Sequence, residues 1–394
     1  MQEIIINKLE NNTEIALLEN GKLTEYYNED SKAIRREGNI YVGVVKDILK
    51  GMQAAFVDIG TEKNSFIHLK DVLEKVDETK EEPIQNQSIE NVVKRGQKLL
   101  VQVKKDSNEQ KGARVSTHIN LPGKYVALMP NTNIITISQK IEDKKEQERL
   151  IKLVKENISK NNGAVIRTSA EGKNQEIIDD IKSLEKKWQK ISKAFLNYTE
   201  NEPKLITKAP GIVEKMAIDL PENSIEKISI NDKKYYQKLV EFKNQNSYMS
   251  NVKIELENEA DLMQKYDLKT DIEKLSNRKI WLKCGGFITI DKTEALTAID
   301  VNTGKYTGKK DLEQTIFKVN KEATVEIAKQ LRLRDIGGII IVDYIDMQNS
   351  EDKTKIEDLL KEELKKDRTK TQVEGFTKLD LLEMTRKHIC SHKE

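Results

Sequence analysis

The chain has 394 residues, of which 34% are charged, 37% hydrophobic and 5% aromatic, with a formal net charge of +2. That length supports two or three domains with real cores, and the near-neutral balance means that any nucleic-acid affinity must come from local patches. No run approaches the ~18 apolar residues of a membrane span, and the N-terminus MQEIIINKLENN is too polar for a signal peptide. The two cysteines, Cys284 and Cys390, lie far apart, so a reduced, cytosolic compartment is expected.

Residues 1–37 read as a β meander. Asn20 and Gly21 between two alternating runs are a strong hairpin signal, and so small a meander must join strands from elsewhere. Residues 38–120 read as a small all-β unit. In AAFVDIG, Ala55, Val57 and Ile59 share one face, leaving Phe56 on the polar face with Asp58. In NSFIHL, Ile67 and Leu69 turn inward while Phe66 and His68 turn outward. Two outward phenylalanines on a small barrel suit base stacking; the competing reading is that both fill the core. Residues 77–91, polar and containing Pro83, read as a flexible excursion.

In residues 121–200, a strand through Ala164, Val165 and Ile166 delivers Arg167 and Thr168 together. Arginine grips phosphate in a fork and threonine adds a hydroxyl, although a surface Arg-Thr pair usually has no function. Residues 144–160 and 174–198 are helical in pattern, with Trp188 on the core side. Pro203 and Pro210 mark a boundary. Beyond them the pattern predicts strands at EKISIN and VKIEL and helices over 234–243 and 260–274, enough to partner the N-terminal meander.

Residues 277–394 carry the strongest signals. Strands over 287–290 and 296–301 read as an antiparallel pair, in which Asp300 and Asn302 share one face and Ile299 and Val301 the other. Residues 338–342 are continuous Ile and Val after Gly338, predicting a strand buried on both faces, and Asp343 follows directly. Asp346, an odd number of residues further on, would face away. Between the strands the pattern predicts a helix capped by Asp311, with Gln314 in capping-box position and a stripe of Leu312, Ile316, Val319, Ala323, Ile327 and Leu331, ended by Gly337 and Gly338. A further helix is expected over 350–367.

Such a strand–helix–strand unit binds ligands at the carboxyl ends of its strands, where Asp300, Asn302 and Asp343 fall. Hard oxygen donors without Cys or His suit Mg²⁺ or Mn²⁺. Lys305, Lys309 and Lys310, among Gly304 and Gly308, suit a phosphate-bearing substrate. The alternative is that the acids cap helices or pair with Arg332 and Arg334.

Three strings, GGFITIDKTEALTAIDVNTG, IAKQLRLRDIGGIIIVDYIDM and GFTKLDLLEMTRKH, make the chain resemble the ribonuclease E/G family, most closely its ribonuclease G branch. The resemblance implies an α/β and β multidomain fold: an S1 (OB-fold) barrel, 38–120, inserted in an RNase H-like subdomain, 1–37 with 201–276, then a 5′-sensor region, 121–200, and a DNase I-like catalytic subdomain, 277–394. It places the family's metal-binding catalytic aspartates on Asp300 and Asp343, its asparagine on Asn302, and a further acid on Asp346. It puts RNA-contacting aromatics on Phe56 and Phe66 and basic contacts on Lys105 and Lys111. The pocket for a 5′-monophosphate falls on Arg167, Thr168, Gly123 and Ala127, with Lys140 where some relatives have arginine. The family's zinc link uses a CPxC motif. No second cysteine follows Cys390, so structural zinc is not supported, while a homo-oligomer without that link stays open.

The expected activity is Mg²⁺-dependent endonucleolytic hydrolysis of single-stranded RNA, leaving a 5′-phosphate and a 3′-hydroxyl. A 2′-hydroxyl route usually needs histidine pairs, and His68, His118, His388 and His392 all lie outside the core strings. The resemblance adds a preference for AU-rich sites and 5′-monophosphorylated ends, with roles in mRNA decay and ribosomal RNA processing. The alternatives are a non-catalytic S1-type RNA-binding factor and an assembly protein whose acids only fold the domain.

Overall fold

The structure, a computed structural model, describes residues 1–30, 35–72, 88–107, 110–304 and 312–389. The chain is mixed α/β and forms two compact units, residues 1–33 with 219–394, and residues 34–218.

In the second of these units, strands Ile40–Leu49, Ala54–Asp58, Ser65–His68, Arg114–Ser116 and Lys98–Lys105 follow one another around a barrel. It closes because Ile40–Leu49 also pairs with Lys98–Lys105. Closure removes free edges, as in small OB-like barrels. A sixth strand, Lys204–Thr207, pairs with the outer side of Ile40–Leu49. Ala55, Val57, Ile59 and Ile67 fill the barrel core as their alternation predicts. Leu69 is only partly buried, because the strand stops at His68 and a helical turn begins. Most of the expected 77–91 excursion lies outside the described residues. Its end is not loose: Ile89–Val92 is a helical turn with Ile89 in the barrel core. Beside the barrel's chain, a four-stranded sheet of Leu121–Pro122, Val126–Pro130, Asn162–Ile166 and Ile135–Ile137 packs one face against helices Lys144–Asn157 and Gln175–Leu196. Trp188 packs at the edge of that core.

In the first unit the hairpin turns through Asn20 and Gly21, both at positive φ, as a type I′ turn requires. The N-terminal strand Gln2–Lys8 then takes a parallel partner, Ile225–Ile230, which pairs in turn with Lys253–Leu256. The helix expected over 260–274 is two short ones, Leu262–Lys265 and Lys269–Glu273, broken where Asp267 turns left-handed.

The other sheet of this unit has six strands, ordered Lys279–Trp281, Phe287–Lys292, Leu296–Asn302, Gly338–Asp343, Leu381–Arg386 and Thr371–Phe376. Helices Leu312–Leu333 and Ser350–Leu364 cover one face, burying Ile299, Val301, Ile340 and Val342. The expectation that Gly338–Asp343 is buried on both faces fails: Ile339 is 52% exposed. No helix covers its second face among the described residues, so the Ile-Val run reflects β propensity there rather than burial. Leu312 likewise leaves the expected stripe, at 74% exposed, because it stands one turn ahead of Ile316, where packing on the core begins. Asp311 lies outside the described residues. The helix ends at Leu333, and the left-handed residue after it is Asp335, before the two glycines are reached.

Glu25 is buried between two guanidinium groups. Arg332 Nε donates to it at 2.9 Å, Arg368 Nε at 3.0 Å and the Tyr27 hydroxyl at 2.8 Å. Burial pushes its carboxyl up, but Arg368 and Arg332 outweigh that and hold it below its ordinary value. Stability from a depressed carboxyl is complete above the unfolded-state value, near 4.5, and drains as pH falls through the folded one. Glu25→Gln is expected to cost about 3–5 kcal/mol at pH 7, since it strands buried cations. It should also remove part of the acid-side slope of stability, which urea unfolding at pH 7, 5 and 3 reads directly.

Candidate functional site

The parallel pairing of Leu296–Asn302 with Gly338–Asp343 sets Asp300 directly opposite Asp343. Directly paired residues point to the same face, so both carboxylates stand on the open side of the sheet with Asn302. Asn302 Nδ2 donates to Asp300 Oδ2 at 2.5 Å. Arg332 and Arg334 do not pair with these acids. The first binds Glu19 and Glu25, and the second donates to Gln330 and the Asn277 carbonyl.

Burial and then the carboxylates of Asp300 and Asp346 push the Asp343 carboxyl above its ordinary range. The strand ends at Asp343, alternation ends with it, and the Asp346 charge acts on the site. Lys305, Lys309, Lys310 and Gly308 lie outside the described residues. Among the described residues there is no group of three or more His, Cys, Asp or Glu side chains placed to hold a metal ion.

Asn320 fixes the backbone just beyond Asp343. Its Nδ2 donates to the Ile345 carbonyl at 2.8 Å and its Oδ1 accepts from the Ile345 N–H at 3.1 Å. The residue is wholly buried on helix Leu312–Leu333, as is Thr324 one turn on. Gly286 is required for a close approach: a Cβ there would lie 2.8 Å from the Asn302 carbonyl oxygen.

On the barrel, Phe56 pairs directly with Phe66, their ring centroids 6.4 Å apart at 72°. Both rings are part-exposed on the outer face, and Phe66 pairs in turn with Arg114, which pairs with Lys105. The ladder therefore makes a row of two aromatics and two cations. Arg114, bound to Asp71 at 2.8 Å, was missed in sequence because its strand is only three residues long. Lys111 is exposed just before Gly112, where a Cβ would lie 1.9 Å from the Asn64 carbonyl oxygen.

Arg167 Nη1 donates to the Gly123 carbonyl at 3.1 Å. Thr168 Oγ1 lies 2.9 Å from Ser138 Oγ, which also accepts from the Lys140 N–H at 3.3 Å. Ser138 thus links two of the expected residues. It is held by its N–H, 2.9 Å from the Ile166 carbonyl. Ala127 stands opposite Val165 on the face of this sheet away from the helices. Burial raises the Asp180 carboxyl, against the backbone N–H groups of Tyr125 and Val126, which it accepts at 2.8 and 3.1 Å.

A Cβ at Gly123 would lie 2.6 Å from both Asp180 carboxylate oxygens and 2.7 Å from the Val126 carbonyl. Gly123→Ala is therefore expected to destabilise the chain by about 1–3 kcal/mol, as overpacking does, with the loss read from chemical unfolding.

Residues 120–389 match the model of the Ribonuclease E/G family. The chain is 37% identical over 395 residues to ribonuclease G of Escherichia coli (strain K12), covering 98% of this chain and 79% of that protein. It is 38% identical to ribonuclease G of Haemophilus influenzae, with coverage of 98% and 79%. To the putative ribonuclease E of Buchnera aphidicola subsp. Baizongia pistaciae it is 35% identical over 99% of this chain and 96% of that one. The family model spans residues 120–389 and the relatives nearly the whole sequence, and the chain belongs to the ribonuclease E/G family.

Proposed function

We propose that the chain is an endoribonuclease that hydrolyses single-stranded RNA at Asp300 and Asp343, using Mg²⁺ or Mn²⁺. The observation that carries this reading is the in-register carboxylate pair on an uncovered sheet face, with Arg332 and Arg334 both committed elsewhere. The donor set fits the ion. Mg²⁺ keeps several waters and takes one or two carboxylates rather than a full protein cage, and two carboxylates with an amide are what the face offers. Burial and then the like charges of Asp300 and Asp346 raise the Asp343 carboxyl, and a dication would relieve that repulsion. Bound there, the ion supplies Lewis-acid stabilisation of charge on the phosphate and lowers the pKa of an attacking water.

The chain's own residues do the positioning. Asn302 holds one oxygen of Asp300, leaving the other free, and Asn320 fixes the backbone after Asp343. Hydrolysis of this kind leaves a 5′-phosphate and a 3′-hydroxyl. A histidine-driven 2′-hydroxyl route has less support in this unit. His388, its described histidine, follows Arg386, which pairs with Gly338 at the end of the strand away from Asp343.

The row Phe56, Phe66, Arg114 and Lys105, with Lys111 nearby, is read as an S1-type platform for unstacked bases, which accounts for a single-strand preference. Arg167, Thr168, Gly123, Ala127 and Lys140, joined by Ser138, are read as the pocket for a 5′-monophosphate. The RNase H-like and DNase I-like assignments, preference for AU-rich sites, and roles in mRNA decay and ribosomal RNA processing belong to the same reading through family membership. Self-association needs no zinc in it.

The test is a fluorescent single-stranded RNA with a 5′-monophosphate, incubated in Mg²⁺, in EDTA, and with Asp300→Asn. Internal cleavage is expected in Mg²⁺ alone, with the variant slower by about a hundredfold or more. RNA that is bound but intact in every arm overturns the catalytic reading and favours a binding factor. In the Asp300→Asn background, Phe66→Ala is expected to weaken RNA binding by about 1–3 kcal/mol, measured by fluorescence anisotropy.

A further inference from the structure

The open face that carries Asp300 and Asp343 continues across two more strands to the sheet edge. Lys279 pairs with Thr289, Thr289 with Asp300, and Asp300 with Asp343, so one ladder row runs from an ammonium through a hydroxyl to both carboxylates. Two residues along, Trp281 pairs with Phe287 and Phe287 with Asn302. The Trp281 and Phe287 rings meet edge to face at 5.3 Å, and Lys279 Nζ lies 4.1 Å and 3.5 Å from their centroids. Trp281 is nevertheless 61% exposed.

A large aromatic left this open is unusual on a soluble surface, and a cation held against it directs the patch toward an anionic, planar partner. Stacked bases of a single strand offer a π-face beside a phosphate, which matches a tryptophan with a lysine at its rim. Strand spacing of roughly 4.8 Å and a rise of roughly 3.4 Å per residue put Trp281 about 12 Å from Asp300 at Cα. That spans a few nucleotides at the roughly 3.4 Å duplex spacing, and fewer once bases are unstacked.

We propose that Lys279, Trp281 and Phe287 form a stacking subsite for one nucleobase of the RNA that flanks the phosphodiester at Asp300 and Asp343. The inference rests on the nuclease reading above and adds to it a residue set that fixes where along the strand cleavage falls. The base stacks on the exposed Trp281 ring, which Phe287 buttresses in edge-to-face contact, and Lys279 takes the phosphate beside it. None of the three touches the reacting atoms, so they act on register and affinity.

The test uses a single-stranded RNA cleaved at one position, remade with a single abasic residue at each nucleotide flanking the cut. For the unmodified protein, an abasic residue at one flanking position should lower kcat/KM about tenfold or more, mainly through KM. Trp281→Ala should cut the intact RNA with a comparable loss and be indifferent to that abasic position. Trp281→Phe should keep most of the wild-type value, and Lys279→Ala should flatten the salt dependence. Equal kcat/KM for Trp281→Ala and wild type on intact RNA overturns the proposal. So do two penalties that simply multiply, or a drop in sedimenting mass in Trp281→Ala with the abasic profile unchanged, which assigns the patch to a second copy of the chain.

A measurement without turnover runs alongside: quenching of Trp281 emission by RNA in Asp300→Asn carrying Trp188→Phe. Quenching is expected, and its absence overturns the subsite even if cleavage occurs. If the wild type fails to cleave while Trp281 is quenched, the nuclease reading falls and the base-binding patch stands.

Discussion

The candidate site depends on one register, the parallel pairing that sets Asp300 opposite Asp343. A parallel pair needs a crossover, and here helix Leu312–Leu333 leads back to the second strand and packs on one face of the sheet. The helical face takes Ile299, Val301, Ile340 and Val342; the opposite face is left to whatever alternates with them. Two carboxylates could not be placed side by side under a helix without a buried partner for each. On the uncovered side they need none from the protein, and the helix still controls them at one remove through Asn320.

The same unit shows the opposite solution for charge. Glu25 with Arg332 and Arg368, and Arg386 with Asp335 and Asp367, are buried and fully paired. Arg386 Nη1 and Asp335 Oδ1 are 2.9 Å apart with both side chains inaccessible to solvent. The arginines of these pairs are thereby spent on structure rather than on Asp300 or Asp343.

Alternation carried most of what could be read in advance. It separated Asp300 and Asn302 from Ile299 and Val301, and turned Phe56 and Phe66 away from the barrel core, because a period of two is local and needs no knowledge of the fold. Cover is different. Whether a second layer packs on Gly338–Asp343 is decided by helices elsewhere in the chain, and an Ile-Val run looks the same with one layer or two. Positions just past element ends were also hard to read. Asp346 and Leu69 lie past the last strand residue, where the period has no further meaning, and the helix that begins at Leu312 ends at Leu333, short of the visible glycines. Arg114, Ser138 and Asn320 were hidden for a related reason. Each matters through a partner distant in sequence.

The strand Lys204–Thr207 gives the barrel a dependency that its sequence span conceals. Residues 38–120 contain every strand of the closed ring, and Gln102 ties the ends of that span together by donating to both the Gly38 and Asn120 carbonyls, at 3.1 and 2.9 Å. Yet the first barrel strand pairs on its outer side with a segment encoded more than eighty residues later. A transplant of the span alone would expose the backbone at Ile40, Tyr41 and Val42 as a fresh edge, open to pairing with any extended chain it meets. For anyone moving this barrel into another protein, the portable object is therefore discontinuous: a ring and a separate clip.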